Sequence, residues 1–162
     1  MKVDSRVAAC ALIIALTGTL MSSPQAATTG PSSALMAPVV TTFNALNVGN
    51  ESSWNSAHTA DAVIFDNFSP YRWDGPGASA KWWVGFNEWM KANNMTKPHV
   101  SRQAIQFWEQ TGNRAYMVVP TIFTAVQNGK PVAQTGTWTF VLVKTGAAWK
   151  AQGWAWGTTS SK

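Results

Sequence analysis

Apolar positions follow two rhythms along this chain, one helical in the first half and one alternating in the second. Leu35, Met36, Val39, Val40, Phe43 and Leu46 recur at helical spacing, and Gly49 follows where a left-handed C-terminal cap belongs, so a first helix is predicted over 35–47. "NESSWNSAHT" offers Asn50 or Ser52 as the N-cap of a short second helix carrying Trp54 and Ala57, with His58 at its end. "DAVIFDNF", Asp61 to Phe68, is rich in β-branched and aromatic residues and reads as a strand. A Gly-Pro-Gly elbow then precedes Trp82, Trp83, Phe86, Trp89 and Met90, one apolar stripe of a third helix over 77–92, with Asp74 placed to cap its positive end.

From His99 the period shortens, and four strand-like runs follow: "HVSRQAIQFWEQ", "RAYMVVPTIFTAVQ", "PVAQTGTWTFVLVK" and "WKAQGWAWGTT". Their separators, "TGN", "NGK" and "KTGAA", are hairpin signals, strongest at Asn128-Gly129. Pro120 inside the second run predicts a bulge or an edge position, because it has no N–H for a ladder. Strict alternation would put Arg102 and Glu109 on opposite faces, and Trp154 and Trp156 opposite Trp149, leaving aromatic surface on both sides of the last strand. The layout is α+β: about three N-terminal helices gathered on a curved antiparallel sheet.

Composition changes this picture at the N-terminus. Lys2 and Arg6 precede the apolar run Val7 to Met21, and small and polar residues follow, the pattern of a secretory signal peptide over 1–26. The run falls short of the ~20 residues of a membrane span. A flexible Ser/Thr/Gly/Pro linker over 27–34 and one domain over 35–162 complete the organisation. Cleavage would remove Cys10, the only cysteine, leaving a mature chain without disulfides or thiol chemistry. Export to a bacterial periplasm or the medium follows, with no membrane attachment after cleavage. The formal net charge of +5 is spread singly along the chain, which argues against a nucleic-acid surface. Two histidines and separated carboxylates give no metal-ligand spacing, and no cofactor is expected.

"FNALNVGN", "ADAVIFDNFSPYRWDGPGA", "GNRAYMVV" and "TWTFVLVKTGAAWKAQGWAW", in this order over residues 35 to 158, resemble the NTF2-like superfamily, and within it the SnoaL-like and ketosteroid-isomerase-like proteins. The resemblance implies a cone, a strongly bent sheet lidded by helices around a pocket for a small apolar or aromatic molecule, and commonly a homodimer through the outer sheet face. It places Asp66 at the general base of ketosteroid isomerases. The tyrosine and protonated acid that stabilise the oxyanion in those enzymes would fall at Thr42 and Trp138, where neither residue type occurs. His99 corresponds to a histidine that assists acid/base chemistry in family dehydratases. Asp66 and His99 are therefore the candidate catalytic residues, and Thr42, Tyr71, Trp83, Trp138 and Trp154 the candidate ligand contacts. The expectation is isomerase-like acid/base chemistry at Asp66, or a non-catalytic binding or assembly module on the same scaffold.

Overall fold

The structure is a computed structural model and describes residues 30–161. The expected signal peptide and the start of the linker lie outside them. Helix α1 (Ser33–Val48) begins within the expected linker, because the Ser32 side chain accepts a bond from Leu35 N–H. It ends at Gly49, whose φ of 69° lets its N–H reach back to the last carbonyls. Helix α2 (Glu51–Ala57) is capped by Asn50, whose Oδ1 accepts from Ser53 N–H at 2.9 Å. Strand β1 (His58–Phe65) starts three residues before the predicted run and stops before Asp66. A two-residue strand β2 (Arg72–Trp73), unforeseen in the elbow, folds back on it.

Helix α3 (Ala78–Ala92) carries the predicted stripe, with Trp82, Trp83, Phe86 and Met90 buried. Its N-cap is Gly77, without a side-chain bond, and Asp74 instead pairs with Arg72 at 2.6 Å in an exposed ion pair. The remaining strands are β3 (Met95–Arg102), β4 (Phe107–Thr111), β5 (Arg114–Gln127), β6 (Lys130–Thr145) and β7 (Ala148–Ser161). Two-residue turns join β4 to β7 in succession, and Asn128-Gly129 has the paired positive φ values, 50° and 79°, of a type I′ hairpin.

The sheet runs β2-β1-β7-β6-β5-β3, with β4 also paired to β5. It is mixed, since β1 lies parallel to β7, where an antiparallel sheet was expected. Antiparallel pairing joins the other neighbours. The run expected as one strand from His99 is broken between Arg102 and Phe107 opposite Pro120, which accepts a bond from Gln103 N–H; Arg102 and Glu109 thus belong to different strands. The three helices cover one face, and between the layers lies a core in which the ten tryptophans are all buried or part-buried.

The last strand departs from strict alternation. Leu142 pairs with Ala151 but Val141 with Gly153, so Gln152 is an extra residue, a β-bulge that resets which face each side chain takes. Trp149, Ala151, Trp154 and Trp156 consequently all face inward, opposite Lys144, Leu142, Phe140 and Trp138. The outer face of the sheet carries no tryptophan from this strand; its exposed apolar groups are Phe65, Phe107, Tyr116 and Val141.

Candidate functional site

The inner face of the cone converges on one cavity. Leu46 from α1, Trp82, Phe86 and Trp89 from α3, and Val100, Phe123, Trp138 and Trp156 from the sheet form its apolar walls, with Phe68 beside them. Asp66, Asn67 and Gln134 supply its polar groups. The aromatic walls close in to a free volume of about 30 Å³, enough for roughly one or two water molecules and too little for a ring. Two side-chain bonds dock the lid: Asn47 at the end of α1 donates to Val100 C=O at 3.0 Å and accepts from Val100 N–H at 2.6 Å.

Asp66 is the one ionisable residue in this lining. It follows the end of β1, and its Oδ1 accepts from Asn67 N–H at 2.7 Å while Oδ2 accepts from the Trp82 indole N–H at 2.9 Å. Burial among ring systems disfavours the carboxylate and lifts its pKa to about 7, against the pull of those two donors. A carboxyl at that value is half ionised at neutral pH and can both accept and return a proton. Behind it, Trp82 stacks on Trp54 with centroids 4.3 Å apart, and the Trp54 indole N–H donates to Ser79 C=O at 3.1 Å.

Beneath these rings sits His58, 2% exposed. Its Nδ1 lies 2.7 Å from the Trp54 carbonyl and its Nε2 accepts from the Trp154 indole at 3.0 Å, which fixes a neutral imidazole protonated on Nδ1. Desolvation lowers its pKa to about 4, opposed by the Trp54 carbonyl and helped by Lys150. His58 orients tryptophans and does not line the cavity.

The other predicted residues divide. Trp138 lines the cavity. Trp83 and Trp154 are buried in the core behind it. Thr42 is fully buried, but its hydroxyl is committed to Pro38 C=O at 2.8 Å and so is not presented to a ligand. Tyr71 is 62% exposed, held at φ 70° in the turn before β2. His99 is exposed and next to inward-facing Val100, so it points away from the cavity, and the structure does not bring it to Asp66. Asn67, Gln134 and Trp156 were missed. Asn67 Nδ2 donates to Thr158 Oγ1 at 2.8 Å, and the same hydroxyl accepts from the Trp156 indole at 2.9 Å, so the three side chains form a polar rim. Only the apolar flank "AVIF" marked this neighbourhood in the sequence.

No protein-family model matches the chain, and no curated protein matches it in sequence. Solved structures do match in shape. A hexachlorocyclohexane dehydrochlorinase, LinA type 2, superposes with a TM-score of 0.68 at 8% identity, covering 80% of this chain and 85% of that one. A scytalone dehydratase-like protein from Novosphingobium aromaticivorans gives 0.66 at 12% identity, covering 80% and 84%. A ketosteroid isomerase-like protein from Erwinia carotovora atroseptica gives 0.63 at 14% identity, covering 78% and 95%. The chain has the NTF2-like cone fold. At these identities the likeness is one of architecture, and chemistry has to be argued from the cavity.

Proposed function

We propose that this domain binds a small apolar or aromatic molecule in the cone cavity and uses the Asp66 carboxyl as its acid/base group. The observation that carries this reading is a single carboxyl, pushed up to about 7, in a wall of aromatic rings. In the isomerisation it favours, the Asp66 carboxylate takes a proton from a carbon beside a carbonyl. The C–H electron pair moves into the resulting enolate, and the protonated carboxyl returns the proton to another carbon. Oxyanion support is thin, because Thr42 is committed to Pro38 and Trp138 stands where an acid would donate. Gln134 supplies an amide in the lining that can donate to a ligand oxygen. The likeness in shape to dehydratase- and isomerase-like proteins supports the same class of chemistry.

Exchange of the α-protons of 2-tetralone in D₂O, followed by NMR, tests the base. The wild type should accelerate exchange with a midpoint near pH 7, and Asp66→Asn should lose about 10²-fold or more. Equal rates for the two proteins would remove Asp66 as the base and leave the second reading, a non-catalytic binding or assembly module on the same scaffold; the narrow cavity and the missing donors favour its assembly form. The leader pattern supports export to the periplasm or medium. The exposed Phe65, Phe107, Tyr116 and Val141 on the outer sheet face support a homodimer.

A further inference from the structure

Thr121 is 0% exposed, and its hydroxyl has no hydrogen-bond partner among the described residues. A buried hydroxyl left unpaired lowers stability and asks for a reason. Thr121 lies on the inner face of β5, two residues from cavity-lining Phe123, and its cross-strand partners are Arg102 on β3 and Gly136 on β6. Arg102 is exposed and makes no bond to it. Gly136 lies under the ring of Trp156, since a Cβ at that glycine would sit 2.5 Å from the indole. Trp156 is also the least firmly held of the sheet's cavity rings. It is part-buried, its indole bonds only to Thr158 in its own strand and its ring meets Trp138 with centroids 6.1 Å apart, whereas Trp138 is 4% exposed and also packed against Phe43, Phe140 and Trp154.

We propose that the Thr121 hydroxyl is a second polar anchor of the ligand site, covered in the free protein by the Trp156 ring, and that the molecule bound is a neutral ring compound carrying two polar groups. One group meets Asp66; the other meets Thr121 once Trp156 turns outward. That movement also supplies the room a ring needs, which the resting cavity of about 30 Å³ does not. The proposal rests on the ligand-binding reading above and names the chemical class of its ligand.

Calorimetric titration of the wild type and Thr121→Val with 2-naphthol and with 2,6- and 2,7-dihydroxynaphthalene tests it, because valine keeps the shape and removes the hydroxyl. The wild type should bind at least one diol about tenfold more tightly than the mono-ol. Thr121→Val should lose that preference, keep its 2-naphthol affinity within about twofold, and melt at a higher temperature because the unpaired group is gone. A diol preference unchanged in the variant, or absent from the wild type while 2-naphthol binds, overturns the Thr121 anchor and leaves the ligand reading standing. A lower melting temperature overturns it too, since the hydroxyl would then already be bonded in the free protein. Failure of the wild type to bind any of the three compounds overturns both.

Discussion

Replacing Asp66 with asparagine should unmask a pH dependence of stability that the wild-type chain conceals. Burial lifts the Asp66 carboxyl from an ordinary 3.8 to about 7, so across that window the folded chain holds a proton that the unfolded chain has released. Stability therefore falls as pH rises, by about 1.4 kcal/mol per pH unit and on the order of 4 kcal/mol in all, less whatever water at the partly exposed carboxyl screens. Burial moves His58 the other way, from 6.5 down to about 4, so between those values the unfolded chain binds a proton that the folded chain refuses. Its contribution rises with pH at the same slope, to roughly 3 kcal/mol. Between pH 4 and 6.5 the two oppose each other and cancel to within about 1 kcal/mol. Asparagine keeps an oxygen for the Trp82 indole and has no proton to lose, so in Asp66→Asn the histidine acts alone. Urea unfolding followed by tryptophan fluorescence, at half-unit steps from pH 4 to 8, measures both proteins, and subtracting the curves removes every group they share. The variant should gain on the wild type by several kcal/mol up to pH 7 and then level off. A difference curve flat from pH 4 to 8 would refute the desolvation of Asp66 and with it the main support for acid/base chemistry.

Trp82→Phe removes the indole donor that holds the Asp66 carboxylate, so a carboxyl NMR titration should show the Asp66 midpoint moving above 7, with a stability loss of about 1–3 kcal/mol. Gly153→Ala places a Cβ 2.6 Å from Val63 C=O, across the parallel β1–β7 pair; chemical denaturation should report a loss of about 1–3 kcal/mol. Val141→Asp puts a charge on the outer face at a side chain 41% exposed. The proposed homodimer predicts a dimer mass for the wild type by light scattering and a monomer mass, still folded, for the variant; a dimer mass for both would move the contact elsewhere, and a monomer mass for the wild type would remove the homodimer.

What the sequence disclosed was what depends on near neighbours. The α3 stripe, the Asn50 and Gly49 caps and the three hairpin turns are written within a few residues each, and the structure has them. Pro120 predicts a bulge or an edge position; β5 keeps an unbroken register with β6 there, and it is the partner run that breaks, between Arg102 and Phe107, because the missing N–H acts locally. Long-range pairing left no such mark: β1 lies parallel to β7 only because the cone closes that way, and the Gln152 bulge that turns Trp149 inward depends on register with β6. Asp66 was legible from its apolar flank and the family resemblance. His99 misled because β3 turns Val100, not its neighbour, toward the cavity. Thr121 could not be singled out, since in β5 it looks no different from Thr124, which is part-exposed.

The parallel β1–β7 pair bears on the order in which the chain assembles. Strands β4 to β7 join through two-residue turns and can zip in sequence, each closing a short loop. His58 meets Ala151 only after helix α3 and most of the meander have been threaded between them, so this closure is the costly, non-local event. This topology predicts that the meander forms the folding nucleus and that β1 docks late. Damage to that seam, as in Gly153→Ala, should hasten unfolding while leaving the refolding rate nearly untouched. The strand that delivers Asp66 to the cavity would be the last to arrive and the first to leave, and resistance to proteolysis would be set by this one seam.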